Sequence, residues 1–136
     1  MAETPPVVTT DYTMESILTS IKKMLGVGAE DTSFDQDITI FINSMFINLN
    51  QLGVGPVGGF SITDTLDTWA DYFGENPVLE SAKTYIYLKV RLIFDPPSSS
   101  FVLEAIKNQI SEIEWRLNVK VENELLEAEG AIENGE

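Results

Sequence analysis

Gly53-Val-Gly-Pro-Val-Gly58 spells G-x-G-x-x-G, the pattern that cradles a dinucleotide pyrophosphate when it joins a strand to a helix. Here an apolar run with helical spacing precedes it, and Pro56 has no amide hydrogen to offer a phosphate. Phe60-Ser-Ile62 after it does not open a helix, so the segment reads as a flexible or projecting loop. Glu30, Asp31, Asp35 and Asp37 form the densest acidic group outside the C-terminus. They lack the D-x-D-x-D-G order and closing Glu of a calcium loop, and acids near a helix N-terminus complement its dipole. Glu112 and Glu114 have no partner acid at a defined distance and read as a solvated face. The chain has no His and no Cys. A Ser-His-Asp triad, a His/Cys zinc site, a reactive thiolate and a disulfide framework are therefore all excluded. No catalytic, cofactor-binding or metal-ligating set is expected, and function must come from surfaces.

Those surfaces are strongly acidic. Asp and Glu number 22 against 8 Lys and Arg, a net charge of -14, which disfavours broad contact with a phosphate backbone. Glu122, Glu124, Glu127, Glu129, Glu133 and Glu136 crowd the C-terminus, with no basic residue after Lys120. Such a run reads as a solvated tail, or as one that orders on a partner through Leu125 and Leu126. No apolar run has the length of a membrane span, and Met1-Ala-Glu-Thr-Pro-Pro6 lacks the marks of a signal peptide. A cytosolic site of synthesis is expected.

The elements that carry these surfaces are marked by where apolar runs stop. Leu25 meets Gly26, Leu52 meets Gly53, Phe73 meets Gly74, and Phe94 meets Asp95-Pro-Pro97. Glycine relieves the left-handed strain of a C-terminal cap and proline cannot continue a helix. The expected fold is all-α: a small bundle of about four to five helices with a Gly-rich loop and flexible ends. Residues 1–10 form a flexible arm, 11–120 the helical domain and 121–136 an acidic tail.

Helix one is expected from Asp11 or Thr13 to Leu25, on Met14, Ile17, Leu18, Ile21, Met24 and Leu25, with Lys22 and Lys23 turned away. Ser33-Phe-Asp-Gln36 reads as a capping box opening helix two. That helix carries Phe34, Ile38, Phe41, Ile42, Met45, Leu49 and Leu52 on one face. Thr63–Phe73 reads as a weaker helix packed through Leu66, Trp69 and Phe73. Asn76-Pro77 opens the next. Tyr85–Phe94 would also suit a buried strand, but Pro77 and the length of the segment favour a helix. A serine among Ser98, Ser99 and Ser100 caps the last helix, which is expected to reach about Lys120 on Val102, Ala105, Ile106, Gln109, Ile110, Ile113 and Leu117.

Several residues fall off these stripes. At about 100° per residue, Ile40 and Ile47 lie on the back of helix two. Trp115 lies opposite the core stripe of the last helix, near Phe101 and Val119. Lys89 sits in the middle of an apolar face. Either another part of the monomer covers these positions and Lys89 snorkels, or the helices are buried on a second side against a neighbouring subunit. Several off-stripe residues on different helices favour the second reading, with Ile40, Ile47, Lys89, Phe101 and Trp115 as the candidate subunit interface. For Lys89 a carboxylate from another helix or subunit is expected, because burying an unpaired ammonium costs several kcal/mol.

The run KTYIYLKVRLIFDPPSSSFVLEAIKNQISEIEWRLN, Lys83 to Asn118, resembles the small head–tail connector proteins of tailed phages and prophages, the head-completion adaptor class. So do the segments IKKMLGV and FDQDITIFINSMFINLNQLGVGP, and the resemblance covers most of residues 12–120. It implies a helical adaptor without catalytic residues, assembled as a dodecameric ring beneath the portal protein. The ring would continue the DNA channel, bind no DNA specifically, and offer a docking surface to a tail-side connector or tail terminator protein. It implies a place at the head–tail interface of the virion after synthesis in the host cytoplasm. It also implies a portal contact at the end of the last helix and the tail: Arg116, Val119, Val121, Leu125 and Leu126. The competing class is an acidic helical regulatory binder of phage origin that mimics DNA. Such a mimic should pattern its acids on the folded body, whereas much of the acid here lies in the tail.

Overall fold

The computed structural model describes residues 15–73 and 79–134. Among them are five helices and no strand: α1 Ile17–Met24, α2 Asp35–Gln51, α3 Trp69–Phe73, α4 Leu79–Phe94 and α5 Ser100–Asn134. The all-α expectation holds, and the ambiguous Tyr85–Phe94 segment is helical. Its turn signals, Asn76 and Pro77, lie outside the described residues.

α1 opens at Ser16, whose hydroxyl accepts a hydrogen bond from the Thr19 amide at 3.2 Å. Of its expected start, residues 11–14, Met14 included, lie outside the described residues. Glu15 and Ser16 are not helical, because their backbone pairs with a later segment. The Ile17 amide donates to the Asp67 carbonyl at 2.9 Å and the Trp69 amide to the Glu15 carbonyl at 3.2 Å. Ile17, Leu18 and Ile21 are fully buried, whereas Met24 is largely exposed. Lys22 corrects an expectation: it turns inward and is 2% exposed. The α1–α2 loop folds over it, and its ammonium reaches Asp35 Oδ1 at 2.7 Å and donates to the Ala29 carbonyl at 3.3 Å.

The capping box at Ser33–Gln36 does not form. The N-cap is Phe34, with no side-chain cap bond, and the Ser33 amide donates instead to Asp31 Oδ1 at 3.0 Å. An aspartate two residues ahead offers a shorter local ring than the Gln36 amide would. Bonds from Ser33 hold the Asp31 carboxyl below its usual range. α2 buries Ile38, Ile42, Met45, Phe46 and Leu49, and Phe34 instead packs edge-on against Phe94 at 5.2 Å.

Between α2 and α3 the chain is held by side chains acting on backbone. Asn43 accepts from the Ile62 amide at 2.7 Å and donates to the Ile62 carbonyl at 3.0 Å, as a neighbouring strand would. Thr63–Thr68 is a turn, not helix: the Asp67 carboxylate accepts from the Thr63 amide at 2.8 Å, and Asp64 accepts from Leu66 at 2.8 Å. Aspartates that satisfy local amides this way compete with a helical ladder. Leu66 is therefore 80% exposed rather than packed. α3 is one short turn that delivers Trp69 and Tyr72 to the core. Trp69 is fully buried, and its indole donates to Ser20 Oγ at 2.8 Å, which satisfies both polar atoms out of water. Tyr72, Phe46 and Phe60 form a cluster with ring centroids 4.5 to 5.0 Å apart.

α4 is the middle helix. It packs on α2 and on α5, while α1 packs on α2. Ala82, Tyr85, Ile86, Leu88 and Val90 are buried along it, too wide an arc for a surface helix. The Asp95-Pro-Pro97 joint then turns the chain into α5.

Candidate functional site

α5 opens at Ser99, whose hydroxyl accepts from the Val102 amide at 3.4 Å. It contains 35 residues, about 52 Å at 1.5 Å each. The expected end near Lys120 is not where it stops: the helix runs on through Asn134. Glu, Leu and Ala are strong helix formers, and a helix already nucleated extends at low cost, so repulsion between acids does not end it. Its inward stripe is Ile106, Ile110, Ile113 and Leu117, with Val102, Ala105 and Gln109 exposed. Val121 carries the stripe one turn further, onto Gly53 at the end of α2. Gly53 has φ +85°, and a Cβ there would lie 2.9 Å from Val121 Cγ1, so only glycine lets the two helices approach this closely.

Continuity of α5 changes how the predicted site residues group. On a helix of about 100° per residue, Phe101, Trp115, Val119 and Leu126 lie on one line, opposite the buried stripe. Phe101 is 83%, Trp115 66% and Leu126 64% exposed, while Val119 is half-buried. The candidate subunit contacts on α5 and two candidate portal contacts thus share one face. Val121 belongs to the inward side, Leu125 points in a third direction, and Arg116 lies beside the outer line, paired with Glu112 one turn earlier.

Ile40 and Ile47 are 53% and 59% exposed on the outer face of α2. Among the described residues nothing buries them. Below Ile47 opens a groove of about 560 Å³ lined by Phe46, Asn50, Gly59 and Phe60 among others, and Val57 stands fully exposed at the tip of the Gly-rich loop. That loop leaves a helix and runs into the extended Phe60–Ile62 segment, which is not the strand-to-helix setting of a dinucleotide site.

Lys89 stands apart from both faces. It lies between α4 and α5, half-buried, with Glu114 Oε1 at 3.9 Å and the Tyr85 ring centroid at 5.8 Å. The expected carboxylate therefore comes from another helix of the same chain. The same pocket pushes the Tyr85 phenol up to about 12, through burial first and the Glu114 charge second. Burial alone raises Tyr72, whose hydroxyl donates to the Val54 carbonyl at 3.4 Å.

Among the described residues no group of three or more His, Cys, Asp or Glu side chains could hold a metal ion. No described helix is long and apolar enough to cross a membrane. The family model described as "Phage connector protein" matches residues 17–124, from the first turn of α1 into the acidic part of α5. The chain belongs to this phage connector family. No curated protein and no solved structure matches it.

As a phage connector the protein is a structural component that meets other components of the virion. The matched region takes in α1 to α4, the outer face of α2, and α5 with its outer face as far as Glu124. One signal of the connector's surfaces was present in its sequence without being read there. From Ile38 to Thr63 there is no Asp, Glu, Lys or Arg, in a chain of which 22% is charged. Helical periodicity says nothing about charge, and only the folded chain shows that this stretch forms one connected surface of α2 and the loop.

Proposed function

We propose that the protein forms a ring between the portal and the tail of a phage virion, dodecameric in place, that continues the DNA channel. The observation that carries this reading is the family match over residues 17–124. Two features support it. Large apolar side chains stand exposed on two helices, as a subunit awaiting neighbours requires. The net charge of -14 suits a channel through which DNA slides without adhering, since like charge suppresses attachment.

In this reading the far end of α5 and the acidic segment 121–136 form the portal contact. Arg116, Leu125 and Leu126 supply its exposed groups beside the half-buried Val119, and the glutamates pair with basic groups on the portal. Such a contact weakens with salt. The opposite end receives a tail-side connector or tail terminator protein.

The test is the mass of the purified protein, alone and mixed with its portal protein, by native mass spectrometry and light scattering. A multi-copy species, or a portal complex carrying about one copy per portal subunit, is the expected result. A protein that stays monomeric in both settings would overturn the reading.

A further inference from the structure

We infer that the uncharged surface formed by the Ile47 end of α2 and the Gly-rich loop receives the outer face of α5 from a second copy of this chain, so that copies associate head to tail. The inference rests on the ring reading and names the surfaces that would build it.

The occupant follows from charge. Each copy carries -14, so two copies repel wherever their acids face each other. Residues 38–63 bear no charge of either sign, and on α2 they expose Ile40, Ile47 and Gln51. Interface centres are depleted of charge in the same way. A basic partner would gain nothing on this surface and would choose the glutamates of α5. Around Ile47 and the loop a second acidic copy meets no acid, whereas the Ile40 end adjoins Asp35 and Asp64.

The complementary element is the line of Phe101 and Trp115. These are large exposed side chains on a convex helix, whereas the surface beside Ile47 is concave, about 560 Å³ in volume and walled by Phe46 and Phe60. An exposed tryptophan is a common anchor of protein interfaces and needs such a recess. α4 packs on both α2 and α5, so the recess and the knob belong to different helices. A knob on α5 seated in a recess beside α2 of another copy gives a heterologous contact. Contacts of that type propagate from copy to copy and close into a ring when the rotation per copy divides a full turn.

The parent chain has no cysteine, so introduced thiols report the contact cleanly. Ser44 lies between Ile40 and Ile47, and Asn108 midway between Phe101 and Trp115, so replacing them spares the apolar anchors. Chains carrying Ser44→Cys are mixed with chains carrying Asn108→Cys, assembled, and treated with a short bis-maleimide. The expected product is the mixed dimer, and a chain with both substitutions gives a covalent ladder. Ile47→Lys should keep the parental helicity and melting temperature while shifting the assembly midpoint about tenfold or more, because the ammonium would be buried unpaired.

Ser44→Cys homodimers without mixed product would mean a symmetric contact and overturn the head-to-tail assignment. Cross-linking of Ser44→Cys to portal or tail protein instead of to another copy would also overturn it. So would rings at parental yield with Ile47→Lys. In each of these cases the parent still forms rings, and the ring reading stands. A parent that never forms more than monomers overturns both.

Discussion

Removing either member of the Lys22–Asp35 pair should have unequal consequences. Lys22 is 2% exposed and its ammonium has two neighbours, Asp35 Oδ1 at 2.7 Å and the Ala29 carbonyl at 3.3 Å. Asp35 is 25% exposed as a side chain, but the oxygen that meets Lys22, Oδ1, is itself buried. Stranding one charge of a fully buried pair costs about 3–5 kcal/mol. Asp35→Asn strands the buried ammonium, with the Ala29 carbonyl left as partial compensation. It also weakens the favourable charge at the N-terminus of α2, worth about 0.5 kcal/mol. The expected loss is about 2–3 kcal/mol, or roughly 8–12 °C in melting temperature at this chain length. Lys22→Met keeps the volume of the stem, and a small rotation of the partly exposed Asp35 brings its buried Oδ1 to water, so about 1–2 kcal/mol is expected. The double substitution removes both charges and should recover most of the loss. Urea and thermal unfolding of the four proteins, followed by circular dichroism, give the cycle. Equal costs for the two single substitutions, or a coupling below about 0.5 kcal/mol, would show that Lys22 is solvated and the pair contributes nothing.

Three other outcomes follow from local geometry and charge. Gly55→Ala should cost about 2–3 kcal/mol in urea unfolding, because φ is +101° and the new Cβ would stand 2.7 Å from the Tyr72 ring. Tyr72 and Tyr85 have folded pKa values raised above the unfolded value of about 10, so their stabilising contribution is complete below that pH and is lost as pH rises toward and past about 12. Spectrophotometric titration of the phenols should accordingly show these two ionising only as the fold is lost, while Phe substituted at either position removes one late-titrating group. Truncation after Lys120 should leave the bundle folded with a modest loss from Val121, and should impair binding to the portal protein in pull-down. Undiminished binding would show that the acidic segment plays no part in attachment.

What the sequence by itself determined is local. Gly26, Gly53 and the Asp95-Pro-Pro97 joint place helix ends through backbone preferences that hold in any fold. Periodicity put Ile40, Ile47, Phe101 and Trp115 on outer faces, and they are exposed because a regular helix carries its own angular order. The runs around YLKVRLIFDPP carried the resemblance to phage connectors, and the family match agrees. The tertiary structure decided whatever needed a partner distant in sequence. Lys22 sits on the polar side of an isolated α1 and is buried only because the next loop closes over it. Asn43 fixes Ile62 across nineteen residues, and Leu66 is exposed because neighbouring aspartates bind its turn. The glutamates after Lys120 read as a solvated tail, since their mutual repulsion is visible in the sequence. The helix already running beneath them, which aligns Leu126 with Trp115, is not. A chain's own periodicity settles which residues share a face, but only the fold determines what faces them.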